Sequence, residues 1–105
     1  MVLYTIWKFK LEITDEQILE MPKGAIFTSV DKIAEPTQHS RFDREDRLYL
    51  WAIVDSEARK ENRTIYIYGT GQPLRPVHKN KKDFIGTVVT EGGQLIWHVF
   101  HDGKY

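Results

Sequence analysis

Apolar residues fall in short runs separated by turn chemistry, and no long window repeats at the i, i+3, i+4, i+7 spacing of a helix. In the first run, Val2 to Leu11, one parity holds Leu3, Thr5, Trp7, Phe9 and Leu11 and the other holds Lys8 and Lys10. That alternation predicts a half-buried strand with one wet face. Ala25 to Ala34 predicts a second strand, with Ile26, Thr28 and Val30 on one face and Phe27, Ser29 and Asp31 on the other. Arg47 to Asp55 is apolar at both parities from Leu48 to Val54, which predicts a central strand covered on both faces or a strand at an interface. Thr64 to Tyr68 sets Ile65 and Ile67 opposite Tyr66 and Tyr68, and Gly69-Thr70-Gly71-Gln72-Pro73 ends it. Phe84 to Thr90 and Gln94 to His101 flank Glu91-Gly92-Gly93-Gln94, whose glycines suit the positive φ angles of a two-residue hairpin turn.

The intervening segments are polar. Thr14-Asp15-Glu16-Gln17 fits a capping box, yet Met21-Pro22 follows so soon that the segment reads equally as a turn or two of helix or as extended chain. Glu35 to Asp46 is a mixed-charge stretch and reads as a solvated loop. Ser56 to Arg63 is charged, with Ala58 its one apolar residue, and Leu74 to Asp83 forms a second polar loop. The tail from His101 to Tyr105 reads as frayed. Together these predict a single β-rich domain over residues 1–105, a small antiparallel sandwich or barrel of about six strands with at most one short helix.

Composition narrows the function classes. With 105 residues the chain has room for one core. Lys plus Arg and Asp plus Glu both number 15, a balance unlike that of a protein that coats duplex nucleic acid. Cysteine is absent, which removes disulfides, thiolate metal sites and a cysteine nucleophile. The apolar start reaches Lys8 too soon for a signal peptide, and no stretch approaches the roughly 18 apolar residues of a membrane helix. A cytoplasmic location is the expectation.

Candidate chemistry is sparse. His98-x-x-His101 has the look of a metal pair, but on a strand side chains three apart point to opposite faces, so no metal or other cofactor is expected. His98 is expected in or beside the core with its ring nitrogens satisfied. Gly69-Thr70-Gly71 resembles the start of a phosphate-binding turn, yet Leu74 stands where a third glycine is needed and no helix follows. The loop from Arg75 to Lys82 sets four cations and His78 close together, which suits phosphates or an acidic protein surface, or serves as a flexible solubilising loop. Trp7, Trp51 and Trp97 all fall on predicted strands, and core packing is their default. Tyr49, Trp51, Tyr66 and Tyr68 nevertheless exceed what a domain this small covers on both faces of a sheet, and the excess suits a groove or an interface. No nucleophile elbow is present, and no base is placed beside Asp55 or Glu57, so an enzyme is not expected.

Thr5-Ile6-Trp7-Lys8-Phe9, Met21-Pro22-Lys23-Gly24-Ala25, Leu50-Trp51-Ala52-Ile53-Val54-Asp55, Gly69-Thr70-Gly71, Ile85-Gly86-Thr87 and Trp97-His98-Val99-Phe100 follow one another in that order. In this the chain resembles a family of small tailed-phage and prophage proteins classed as a domain of unknown function. The resemblance implies an accessory protein acting in the bacterial cytosol and carries no catalytic residues. The expectation is a non-enzymatic protein that binds and inhibits a host factor, of the anti-defence kind, through the strand faces around Trp51 and Tyr66 and the cations of the Arg75–Lys82 loop. The alternatives are an oligomeric sponge for a signalling nucleotide and a virion-associated structural β-module. In the sponge, Gly69, Thr70, Gly71, Arg75 and Lys79 hold phosphate and Tyr68 or Trp97 stacks the base. The partner is therefore a host protein or a nucleotide, with self-association an option and neither duplex nucleic acid nor a membrane expected.

Overall fold

The structure, a computed structural model, describes residues 1–104. Seven strands run β1 (Tyr4–Leu11), β2 (Glu16–Pro22), β3 (Ile26–Pro36), β4 (Arg44–Asp55), β5 (Lys60–Gly69), β6 (Phe84–Thr90) and β7 (Leu95–His101). They build two antiparallel sheets, ordered β1-β4-β3 and β2-β5-β7-β6, stacked as a sandwich. The helical elements are two three-residue 3-10 turns, Pro76–His78 and Glu91–Gly93. No helix among the described residues is long and apolar enough to cross a membrane.

Alternation places the core. Leu11, Leu48, Leu50, Ile65, Ile67, Val88 and Val99 meet between the sheets, and a second cluster of Met21, Ala25, Ala52 and Val54 continues it toward one end. The even positions of β4 and the odd positions of β5 therefore point inward, and their neighbours point out. On β1, Trp7 and Phe9 pack inward and Lys8 and Lys10 face solvent, as their parity requires.

Several boundaries differ from the sequence reading, each for a local reason. The open segment is extended and supplies the seventh strand. Its polar residues stitch a corner between the sheets instead of capping a helix: Gln17 Nε2 donates to the Glu12 carbonyl at 2.7 Å and Thr14 Oγ1 to the Glu16 carbonyl at 3.1 Å. In β3 a bulge between Phe27 and Ser29 breaks strict alternation. It puts Phe27 and Val30 on the core side together and sends Ile26 and Asp31 outward. The charged loop is shorter than its composition suggests, because β3 runs to Pro36 and β4 starts at Arg44. Backbone pairing tolerates those charges where neighbours of opposite sign lie close, as Arg47 and Glu45 do. Likewise β5 begins at Lys60, and Arg63 points inward on the parity of Ile65. The β6–β7 hairpin forms, but Glu91 to Gln94 make up its turn, with Glu91, Gly92 and Gly93 all at positive φ.

The tail is tied down through Lys104. Asp102 accepts Arg63 Nε at 3.0 Å and the Thr64 N–H at 2.8 Å, and Arg63 donates further to the carbonyls of Ala25 and Lys104. Tyr105 lies outside the described residues. Burial alone pushes the Asp102 carboxyl up, but the N–H groups of Thr64 and Lys104 and the Arg63 guanidinium outweigh it and hold it below the ordinary aspartate range.

Candidate functional site

The residues from Thr70 to Asp83 cross the outer face of the four-stranded sheet as a strap. Alternation on β5 and β7 sends Tyr66, Tyr68, His98 and Phe100 to that face, and Tyr68 lies directly opposite His98 in register. The strap departs through a turn in which Gln72 N–H donates to the Gly69 carbonyl at 3.1 Å. Gly71 takes φ +93° there, a conformation costly for any residue with a Cβ. The Gln72 side chain accepts the Gly69 N–H, so the donor that a phosphate needs at this turn is already used.

His78 fastens the strap. From Thr70 to Lys82 every other residue is exposed, while His78 is 2 % exposed. Its ring packs 4.7 Å from that of Phe100, 4.8 Å from Tyr66 and 5.6 Å from Tyr68, centroid to centroid. The Tyr68 hydroxyl stands 2.7 Å from His78 Nδ1 and accepts from the Arg75 backbone N–H and Nη1, both at 3.3 Å. With its oxygen so occupied, the hydroxyl donates to Nδ1, and Nε2–H donates to the His101 carbonyl. Burial depresses the His78 pKa, so this histidine is a neutral anchor and does not join the cation cluster.

Arg75 is engaged as well. Its guanidinium lies 4.6 Å from the Tyr66 ring centroid, and Nη2 is 3.5 Å from Glu16 Oε1 on β2. The basic loop is thus pinned to the sheet through His78 and Arg75. It presents Leu74, Val77, Lys79 and Lys81 outward, the two apolar side chains 47 % and 61 % exposed.

Between the strap and the β6–β7 hairpin lies a hollow of about 290 Å³, floored by Phe84 and Phe100 and walled by Tyr68, Gly69, Thr70, Gly71, Leu74 and His98. His98 Nε2 meets Thr70 Oγ1 at 2.8 Å and Nδ1 meets Thr87 Oγ1 at 2.9 Å, which satisfies both ring nitrogens at the rim. His101, three residues on, points to the opposite face and packs on Phe27, as the strand period requires. Asp55, which ends β4 on the other sheet, accepts the Leu3 and Glu57 N–H groups and does not meet His98.

The structure brings Tyr66, Tyr68, Gly69, Thr70, Gly71, Arg75 and Lys79 to one side of the sandwich. It does not bring Trp51 or Trp97 there. Trp51 lies on the outer face of the three-stranded sheet, beside Tyr49. Trp97 packs against the core, with Nε1 donating to Thr90 Oγ1 at 3.2 Å. The sequence reading missed Leu74, Gln72, Phe84 and Phe100. A signal for Phe100 was its parity with His98, and a signal for a conformationally restricted strap was the spacing of Pro73 and Pro76.

Comparison with curated proteins and with solved structures gives no match. Residues 3–104 match a domain of unknown function, DUF7352, over nearly the whole sandwich, and the chain belongs to that family.

Proposed function

We propose that this protein is a non-enzymatic accessory protein of tailed phages that binds a host protein through the strap face and occludes it, in the manner of an anti-defence factor. The phage setting rests on the motif resemblance. The surface rests on one observation: His78 anchors a cationic strap beside an aromatic-floored hollow. A strap backbone anchored in advance loses less entropy on binding, and a hollow with an apolar floor accepts a protruding side chain. The complementary partner surface is acidic, with an apolar residue at its centre.

A protein fits this surface better than a nucleotide does. The Gly69 amide is capped by Gln72, and Arg75 is drawn toward Tyr66 and Glu16, away from the hollow. Bound nucleotide in protein purified from cells, read as an added mass of several hundred daltons (on the order of one nucleotide) in native mass spectrometry, would favour the sponge instead.

The test is capture from host cells followed by reconstitution with the purified partner. Leu74→Asp and Lys79→Glu each weaken that complex, and the second also reduces its salt dependence because a favourable charge contact is lost. Ile53→Lys, on the opposite face, leaves it intact. Failure to recover a partner that responds in this way sinks the reading.

A further inference from the structure

Among the described residues, the outer face of the three-stranded sheet carries exposed isoleucines between its charged side chains, where a fully solvated sheet face is polar throughout. Ile6, Ile53 and Ile26 lie side by side in register across β1, β4 and β3. Ile6 and Ile26 are each 61 % exposed. Trp51 continues the apolar strip along β4, and beyond it Tyr49 is 8 % exposed, with Lys8 Nζ 4.7 Å above its ring and its hydroxyl on the Glu35 carboxylate. Charge flanks the strip asymmetrically. Lys8 and Lys10 stand on β1, while Asp31 and Glu35 stand on β3. Lys10, Tyr49 and Asp31 share one row.

This pattern complements itself. Turning a second copy about an axis parallel to β4 lays its β1 over β3 and its β3 over β1. The isoleucine row then meets the isoleucine row, with Ile53 on Ile53 at the centre. Lys10 of each copy, which also holds Glu35 Oε1 of its own chain at 3.3 Å, faces Asp31 of the other, and Asp31 has no salt bridge of its own among the described residues. An axis running across the strands instead lays β1 on β1, lysines along lysines. We infer that this face is the isologous interface of a homodimer, with the two β4 strands stacked face to face across a two-fold axis parallel to them. The inference is independent of the proposed partner surface, which lies on the far side of the sandwich.

Sedimentation velocity over a concentration series tests it on the full chain. The wild type forms a dimer. Ile53→Lys weakens it by about 30-fold or more, and the milder Ile6→Thr weakens it less. Both residues point outward, so far-ultraviolet circular dichroism of each variant matches the wild type. Lys10→Asp and Asp31→Lys each weaken the dimer, and the two together restore it. Leu74→Asp on the strap leaves it unchanged. A wild type that stays monomeric overturns the inference, as does a dimer indifferent to Ile53→Lys. Failure of the charge exchange to restore association overturns the strand-parallel axis. A monomer whose partner capture is lost with Ile53→Lys overturns the inference and assigns the face to that partner.

Discussion

The Tyr68 hydroxyl donates to His78 Nδ1 at 2.7 Å, and this bond joins a strand of the sandwich to the one buried side chain between Thr70 and Lys82. Tyr68→Phe removes the donor and leaves a buried imidazole nitrogen unpaired, at a cost of about 1–3 kcal/mol. Because the strap has no second buried anchor along that stretch, the loss is local. Amide hydrogen exchange across residues 70–82 accelerates more than exchange in β4, and denaturant unfolding registers the smaller global effect.

Acid weakens the fold through two histidines. Burial depresses the pKa of both His78 and His101 below the ordinary histidine value of about 6.5. The unfolded chain therefore takes up protons first as pH falls. The stability held by the neutral rings is complete above about pH 6.5 and is lost progressively below it, toward the depressed folded values, at no more than about 1.4 kcal/mol per pH unit for each ring. Guanidinium unfolding measured at neutral and mildly acidic pH gives the slope. His78→Gln reduces it, and an unchanged slope in that variant refutes the assignment.

Arg63 is 1 % exposed and binds Asp102, the Ala25 carbonyl and the Lys104 carbonyl while lying 4.6 Å from the Phe27 ring centroid. Arg63→Ala strips the partner from a partly buried carboxylate and costs about 3–5 kcal/mol. Domains of this kind hold only about 5–15 kcal/mol in all, so urea unfolds the variant at a much lower midpoint. Asp102→Asn keeps part of the hydrogen bonding and falls between the two. In acid, the contribution of the depressed Asp102 carboxyl is lost only as pH drops through its folded value, below the ordinary aspartate value of about 3.9.

Gly86 sits where β6 approaches β3, and a Cβ at that position would lie 3.0 Å from Val30 Cγ1. Gly86→Ala crowds the stiff, β-branched Val30 side chain, which must give by a few tenths of an ångström, and destabilises by about 1–3 kcal/mol. Val30→Ala opens the space. A double-mutant cycle in chemical denaturation shows a favourable coupling between the two substitutions, and strict additivity contradicts the contact.

The alternation of apolar residues revealed most of the sandwich because one face of each strand is buried, and Ile65 and Ile67 against Tyr66 and Tyr68 kept their expected sides. Periodicity failed where the chain inserts a residue, at Thr28, and where a buried residue is charged, at Arg63. Hydropathy has no means of marking a guanidinium whose donors are met by the Asp102 carboxylate and two carbonyls remote in sequence. The strap was legible as a cluster of charge but not as a packed element. Its single anchor, His78, is recognisable only once Tyr66, Tyr68 and Phe100 are known to share a face. The separation of Trp51 from Tyr66 was equally hidden, since both stand on tyrosine-bearing strands and only sheet membership sends them to opposite sides.

The sandwich spans only 17 Å along its shortest axis against 44 Å along its longest. A plate so thin encloses little oil for its length, and the increment in heat capacity on unfolding scales with the apolar area released. The curve of stability against temperature is therefore shallow, and the fold weakens gently toward both cold and heat.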